Sequence, residues 1–177
     1  MSIAPESRLT RRPLIAAGAM LGIGMGGFLD GIVAHQLLQV HNMLSAKYPT
    51  RGVDAATLVV NLEINMFWDG LFHSLTWLVT AAGVAMLWGA MRRPEVPRST
   101  ITLVGSLALG WGLFNLVEGI IDHHILHIHH VVEIPNHLPW DLGFLAAAVV
   151  LLLLGWGMIW AGRDDARAVV LIGERVE

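Results

Sequence analysis

The segments FLDGIVAHQLLQVHN (28–42) and LVEGIIDHHILHIHH (116–130) align without a gap. Equivalent positions carry an acid (Asp30, Glu118), a glycine (Gly31, Gly119) and two histidines (His35 and His41; His123 and His129), set among aliphatic residues. Across a loop, each copy is followed by a weaker match, NMFWDGLFH (65–73) against HLPWDLGFL (137–145), sharing Trp-Asp and a Phe three residues after the Asp. This pattern restricts the chain to two equivalent helical hairpins, a duplication whose shared positions are ionisable groups inside apolar segments. Such groups are costly in a bilayer and usually functional.

Composition says that a bilayer is the right solvent. At 177 residues, 55% hydrophobic and 14% charged, the chain is too apolar for an ordinary soluble domain and too short for several domains. A net charge of −3 with no basic, aromatic-interleaved patch gives no reason to expect nucleic acid. The absence of cysteine excludes disulfides, thiolate metal sites, iron–sulfur clusters and covalently attached c-type haem. Any metal must therefore be held by nitrogen and oxygen.

Four stretches reach the roughly 20 residues needed to cross a hydrocarbon core of about 30 Å: Leu14 to Val40, Leu58 to Trp88, Ile101 to Ile128 and Leu142 to Ala161. The expected fold is an all-α membrane protein, a four-transmembrane-helix bundle of two duplicated hairpins. Arg8, Arg11 and Arg12 precede the first span, Arg92, Arg93 and Arg98 lie between the second and third, and Arg163, Arg167 and Arg175 follow the fourth. Lys47 and Arg51 are alone on the other side, so the positive-inside rule puts both termini in the cytoplasm. The organisation expected is a cytoplasmic segment 1–13, a membrane domain 14–161 (repeats about 14–91 and 99–161) and a cytoplasmic tail 162–177. Arg11-Arg12 before an apolar run resembles a twin-arginine leader, but the run is too long, carries Asp30 and lacks a small-x-small cleavage site. Gly18, Gly22 and Gly26 form a smooth helix face suited to close packing, including against a second copy.

Counting ~1.5 Å per residue from each cytoplasmic end puts Asp30, His35, Asp69, His73, Glu118, Asp122 and Asp141 at depths of about 22 to 32 Å, one outer-leaflet slab fed by all four helices. On the second helix Asn61, Asn65, Asp69 and His73 recur every four residues as one polar stripe. Continued helical phase puts Asn115, Glu118, Asp122 and His129 on one face of the third helix, with His123, His127 and His130 beside it. It also puts Asp30 and His41 on one face of the first.

Carboxylates and imidazoles on facing helices are the usual makings of a metal site in a bundle core. Asp30, His35, Asp69, His73, Glu118, Asp122 and His123 are the expected metal ligands. Asn65, Asn115 and Asp141 suit the orientation of ligating histidines. His41, His127, His129, His130 and His137 are expected at the mouth, where metal is collected or handed over. Each buried polar residue alone could serve only as an interhelical hydrogen bond worth about 0.6 to 2 kcal/mol, but packing requires neither a common depth nor a repeat. Trp68, Trp140 and Trp160 read as interface-belt residues.

The motifs LDGIVAHQ, FWDGLFH, LFNLVEGIIDHH and LPWDLGFL resemble a family of bacterial four-helix predicted membrane proteins, domain of unknown function 2243, over about Gly18 to Trp160. The resemblance implies a small multi-pass protein of the bacterial inner membrane. It also points to oxidase assembly, with delivery of copper or haem.

Four functions fit these residues. The leading one is handling of zinc, copper or iron at the outer face, in exchange with a donor or acceptor protein. An enzyme would use a metal-activated water with Glu118 or Asp30 as general base to hydrolyse a lipid or amphiphile, or a two-metal site for redox chemistry. A b-type haem protein would use two axial histidines such as His35 and His123, although carboxylates crowd the slab where an apolar pocket is expected. A proton or cation pathway along Asn61 to His73 would need polar groups continuing inward, and the helices below His73 are apolar. Absent thiolates argue against a dedicated Cu(I) site, while Zn(II), Cu(II) and iron suit histidine with carboxylate. Two positions break the repeat: His73 faces Leu145 in the alignment, and Asp122 faces Ala34.

Overall fold

In the computed structural model, residues 9–165 are described. Arg8, Arg167, Arg175 and most of the expected tail lie outside them. Four α-helices form, and no strand occurs among the described residues: α1 (Arg12–Asp30), α2 (Ala55–Met91), α3 (Thr100–Glu118) and α4 (Leu138–Ala161). All four are long and apolar enough to cross a membrane, counting the π-helical extensions of α1 and α3. Large apolar side chains including Leu37, Met66, Trp77, Trp88, Leu153 and Trp156 point outward from the bundle. A surface of that kind belongs in lipid rather than water.

The helix starts follow local chemistry. The Asp54 side chain accepts from the Ala56 and Thr57 amides to cap α2, and the Ser99 hydroxyl accepts from Thr102 to cap α3. Pro13 and Pro139 occupy the first turns of α1 and α4, where a missing N–H costs nothing. At 37 residues, α2 is the longest. Its length of about 55 Å carries it past the hydrocarbon core at either end.

α1 and α3 cross at the centre, while α2 packs on α1 and α4 on α3. Glycine sets these approaches. A methyl on Gly22 would run into the Leu107 carbonyl, and one on its repeat equivalent Gly110 would run into the Ala19 carbonyl. Likewise Gly83 of α2 receives Leu21, and Gly155 of α4 receives the equivalent residue Leu109. The smooth face offered by Gly18, Gly22 and Gly26 is therefore filled by Ser106, Leu107 and Trp111 of α3. This corrects the expectation that the face is free for a second copy: without side chains, the two backbones come close enough to gain dispersion contact along the whole crossing.

Arg11 donates to the Ile159 carbonyl, Thr10 N–H to the Glu95 carbonyl, and Ser99 to Asp165. The ends of all four helices that carry the arginines are thus tied together. The histidines lie at the opposite end.

Candidate metal centre

The histidines reach one another because both central helices change character at the same point. After Asp30 and after Glu118 the chain continues as a π-helical turn, Gly31–Leu37 and Gly119–Ile125. The Leu38 amide donates to Val33 and Leu126 to Ile121, each five residues back. Such π turns occur frequently at functional sites. The helices then stop, so the spans expected to run to Val40 and Ile128 end at Leu37 and Ile125. Gln39 and His127 adopt φ of 50° and 48°, a left-handed conformation that is strained for residues with a side chain. The turn at each folds the chain back over the bundle, carrying His41 and His129 inward.

This overturns the phase argument for those two histidines. The count of 100° per residue fails beyond Gly31 and Gly119, and His41 and His129 are loop residues, not members of a helix face. They are also not at the mouth: both are buried, with 5% and 1% of their surface exposed.

Four imidazoles now share a cluster. The ring centroids of His35 and His41 are 4.7 Å apart, those of His123 and His129 4.9 Å, and His41 stacks on His129 at 4.8 Å. Three of the rings are held from outside by a hydrogen bond through Nδ1, and the fourth, His123, turns its Nδ1 toward a carboxylate without one. Nδ1 of His41 donates to the Val131 carbonyl at 3.0 Å, and Nδ1 of His129 to the Met43 carbonyl at 3.1 Å. His35 Nδ1 lies 2.8 Å from Asp69 Oδ1, and His123 Nδ1 lies 3.3 Å from Asp141 Oδ1. Those two aspartates are positioned in turn by the amides of Met43 and Val131, at 2.8 and 2.9 Å.

All four Nε2 atoms face the two remaining acids. His35 Nε2 is 3.3 Å and His41 Nε2 4.0 Å from Asp30, while His123 Nε2 and His129 Nε2 are 3.0 and 2.9 Å from Glu118 Oε1. A carbonyl can only accept, so Nδ1 carries the proton in His41 and His129, and the Nε2 of a neutral ring presents a lone pair. Lone pairs aimed at carboxylates repel unless a proton or metal cation stands between them. His35 Nε2, His41 Nε2, His123 Nε2 and Glu118 Oε2 are buried without a hydrogen-bond partner. The Nε2 of His123 is near enough to Glu118 for attraction but out of line for a hydrogen bond.

Two of these rings lie outside the membrane-spanning segments and divide the charge unequally. Burial, reinforced by the nearby charge of His129, pushes His41 down to about 4 against the pull of Asp30. Burial also opposes charge on His129, but hydrogen bonding and attraction from Glu118 outweigh it and raise His129 above the ordinary imidazole range.

The ligand atoms of His35, His41 and His129 lie within 4.8 Å of one another, as do those of Glu118, His123 and His129, with His129 common to both groups. Among the residues expected as ligands, Asp30, His35, Glu118 and His123 are thus brought together. Asp69 stands behind His35, in the orienting place that Asp141 takes behind His123. Asp122 is half-buried beside the cluster, its charge acting on His129, Glu118, His123 and Asp30, with no hydrogen bond to its carboxylate among the described residues. His73 stands apart: its Nδ1 donates to the Asp69 carbonyl at 2.7 Å, and its ring packs against Gly31 and Phe28. Asn65 holds the Leu44 amide and the Tyr48 carbonyl instead of an imidazole, steadying the loop that carries His41. Asn115 is buried one turn before Glu118, and His127 is exposed.

His41 and His129 were legible as central only through the repeat. Asp30/Glu118, His35/His123, His41/His129 and Asp69/Asp141 are shared by both copies and make up the centre. The unshared His73 falls outside it.

The chain belongs to the family described as predicted membrane protein (DUF2243), which it matches over residues 17–162. Among curated proteins and among solved structures, nothing matches it.

Proposed function

We propose that this member of the family binds a transition-metal ion between the Nε2 atoms of His35, His41, His123 and His129 and the carboxylates of Asp30 and Glu118. The observation that carries the reading is the common orientation of the four rings: Nδ1 turned outward, hydrogen-bonded to a carbonyl or carboxylate in His35, His41 and His129 and 3.3 Å from the Asp141 carboxylate in His123, with Nε2 aimed inward and, in three of the four, buried without a hydrogen bond. Outward tethering through the other ring nitrogen is how proteins fix ligating histidines. The charge supports the same reading, because four carboxylates, Asp30, Asp69, Glu118 and Asp141, surround the rings, a negative excess that a buried site tolerates only with a bound cation or protons. With only nitrogen and oxygen donors, zinc, Cu(II) and iron are the suited ions. Bound there, the ion supplies Lewis acidity or, for copper and iron, one-electron chemistry.

The arginine-rich end reads as cytoplasmic by the positive-inside rule, which puts the cluster on the outer side of a bacterial inner membrane. From that position the protein would exchange its ion with an extracytoplasmic partner, as in metal handling or oxidase assembly. An outward cavity of about 190 Å³ lined by His41, Ser45, Arg51 and Glu133 gives access. That volume is below the range of ligand pockets for drug-sized molecules, which favours passage of an ion over hydrolysis of a lipid. Haem between His35 and His123 is disfavoured because the rings of His41 and His129 fill the space and carboxylates line it.

Elemental analysis and an optical spectrum on tag-free protein purified in mild detergent test the reading. Stoichiometric zinc, copper or iron without a Soret band is expected. No metal, even after anaerobic reconstitution, overturns it.

A further inference from the structure

We propose that His130, His137 and Asp141 form a second, outward-facing metal site, weaker than the central cluster. The Nδ1 atoms of His130 and His137 lie 2.8 and 2.9 Å from the same oxygen, Asp141 Oδ2. Their rings stack with centroids 3.5 Å apart, and the three ligand atoms lie within 4.8 Å of one another. Neighbouring ligand atoms around a tetrahedral zinc with bonds near 2.1 Å are separated by about 3.4 Å. Opening the existing contacts by roughly half an ångström therefore admits an ion. His137 is the N-cap of α4 and Asp141 lies in its first turn, so two of the three donors are held at one end of a single helix.

The comparison between the two halves argues that the imidazoles are there for more than the hydrogen bond. The repeat equivalent of His130 is Asn42, whose amide donates to Asp69 Oδ2 at 3.0 Å. The equivalent of His137 is Asn65, which bonds only backbone groups. In the first half, then, amides suffice to fix the aspartate, and amide nitrogens do not ligate metals. The second half puts two imidazoles around the same carboxylate. A third of the His137 side chain is exposed, whereas the Asp141 carboxylate is fully buried and its other oxygen faces His123 at 3.3 Å. The group therefore spans from solvent to the edge of the central cluster, where an arriving ion would first be held.

This inference does not depend on a metal in the centre, and one titration separates the two. Zinc is titrated into tag-free, full-length, detergent-purified protein against a chromophoric chelator, for the wild type and for a His130→Asn/His137→Asn double variant. The variant copies the amides of the first half and should keep the wild-type melting temperature; His137→Asn alone serves if it does not. The expected result is two classes of site in the wild type and loss of the weaker class, by tenfold or more in affinity, in the variant. Loss of the sole class in the variant would sustain the outer site and sink the central one. Equal numbers of zinc ions with equal affinities in both proteins would overturn the proposal.

Discussion

His41 and His129 stack within 5° of parallel, and each donates its Nδ1 proton to the backbone of the other's loop, His41 to Val131 and His129 to Met43. The loops are further joined by Ser45 to Glu133 at 2.7 Å and by the Ala46 amide to Ile128 at 3.0 Å. The outer cover of the bundle and the centre of the cluster are thus one structure. The two rings that complete the cluster also hold its lid in place.

Removing either stacked ring should therefore remove the ion. His129→Ala, which takes a ligand from both groupings, is expected to weaken zinc binding by more than about 100-fold, beyond what loss of an orienting partner costs. His73→Ala is expected to change it by less than about threefold, since its ring lies outside the cluster. Equilibrium competition with a chelator reads both, and metal loss in His73→Ala would mean that the wrong histidines have been assigned.

The Asp69 carboxylate touches no Nε2 atom and acts on His35 Nδ1 and the Met43 and Asn42 donors. Asp69→Ala should weaken affinity by about 10- to 100-fold while leaving the number of bound ions unchanged. Glu118→Ala should instead lower the number. Comparing stoichiometry at saturating metal with affinity at limiting metal distinguishes the two roles.

The number of spans and the helical class were readable because a bilayer demands long apolar helices, and no other feature of this chain competes with that demand. Depth along an ideal helix gathered Asp30, His35 and Glu118, which do lie together. It failed for His73, because depth says nothing about which way a side chain points. Phase failed for His41 and His129, because a π turn and a left-handed residue ended the helix where composition gave no warning. Gln39 and His127 are not residue types that announce such a turn. The repeat carried the missing information: residues present in both copies are those that meet.

Side assignment is open to a direct measurement, since the chain has no cysteine to interfere. Lys47 and Arg93 are both exposed, at opposite ends of α2. A membrane-impermeant maleimide should label Lys47→Cys in spheroplasts and Arg93→Cys only after permeabilisation. The reverse pattern would place the cluster on the cytoplasmic side and remove the extracytoplasmic partner from the reading.

The α1–α3 crossing allows no side chain at Gly22, where a methyl would meet the Leu107 carbonyl, whereas Gly70 on α2 has open space around it. Gly22→Ala should destabilise the protein by about 1 to 3 kcal/mol or more through forced separation of the helices. Gly70→Ala should be neutral, or stabilising by up to about 1 kcal/mol, because alanine is the better helix former. Unfolding in mixed detergent micelles reads both, and equal effects would disprove the close crossing.

The metal-free protein should lose stability on both sides of the ordinary imidazole range, for opposite reasons. His41 stays neutral in the folded state down to about 4, while the unfolded chain takes up its proton near 6.5. Between those values the unfolded state binds more protons, so stability falls as pH drops, at up to about 1.4 kcal/mol per pH unit and roughly 3 kcal/mol across the window. His129 is raised, so its contribution is fully present below 6.5 and is lost as pH climbs through the folded value. His41→Asn keeps a donor for the Val131 carbonyl and removes the titration, so it should flatten the acid limb only; His129→Asn should flatten the alkaline limb and, by removing a charge that holds His41 down, also soften the acid limb. Unfolding free energies measured against pH for the three proteins decide the matter. If His41→Asn left the acid limb unchanged, the buried ring would not be the neutral partner of the stacked pair.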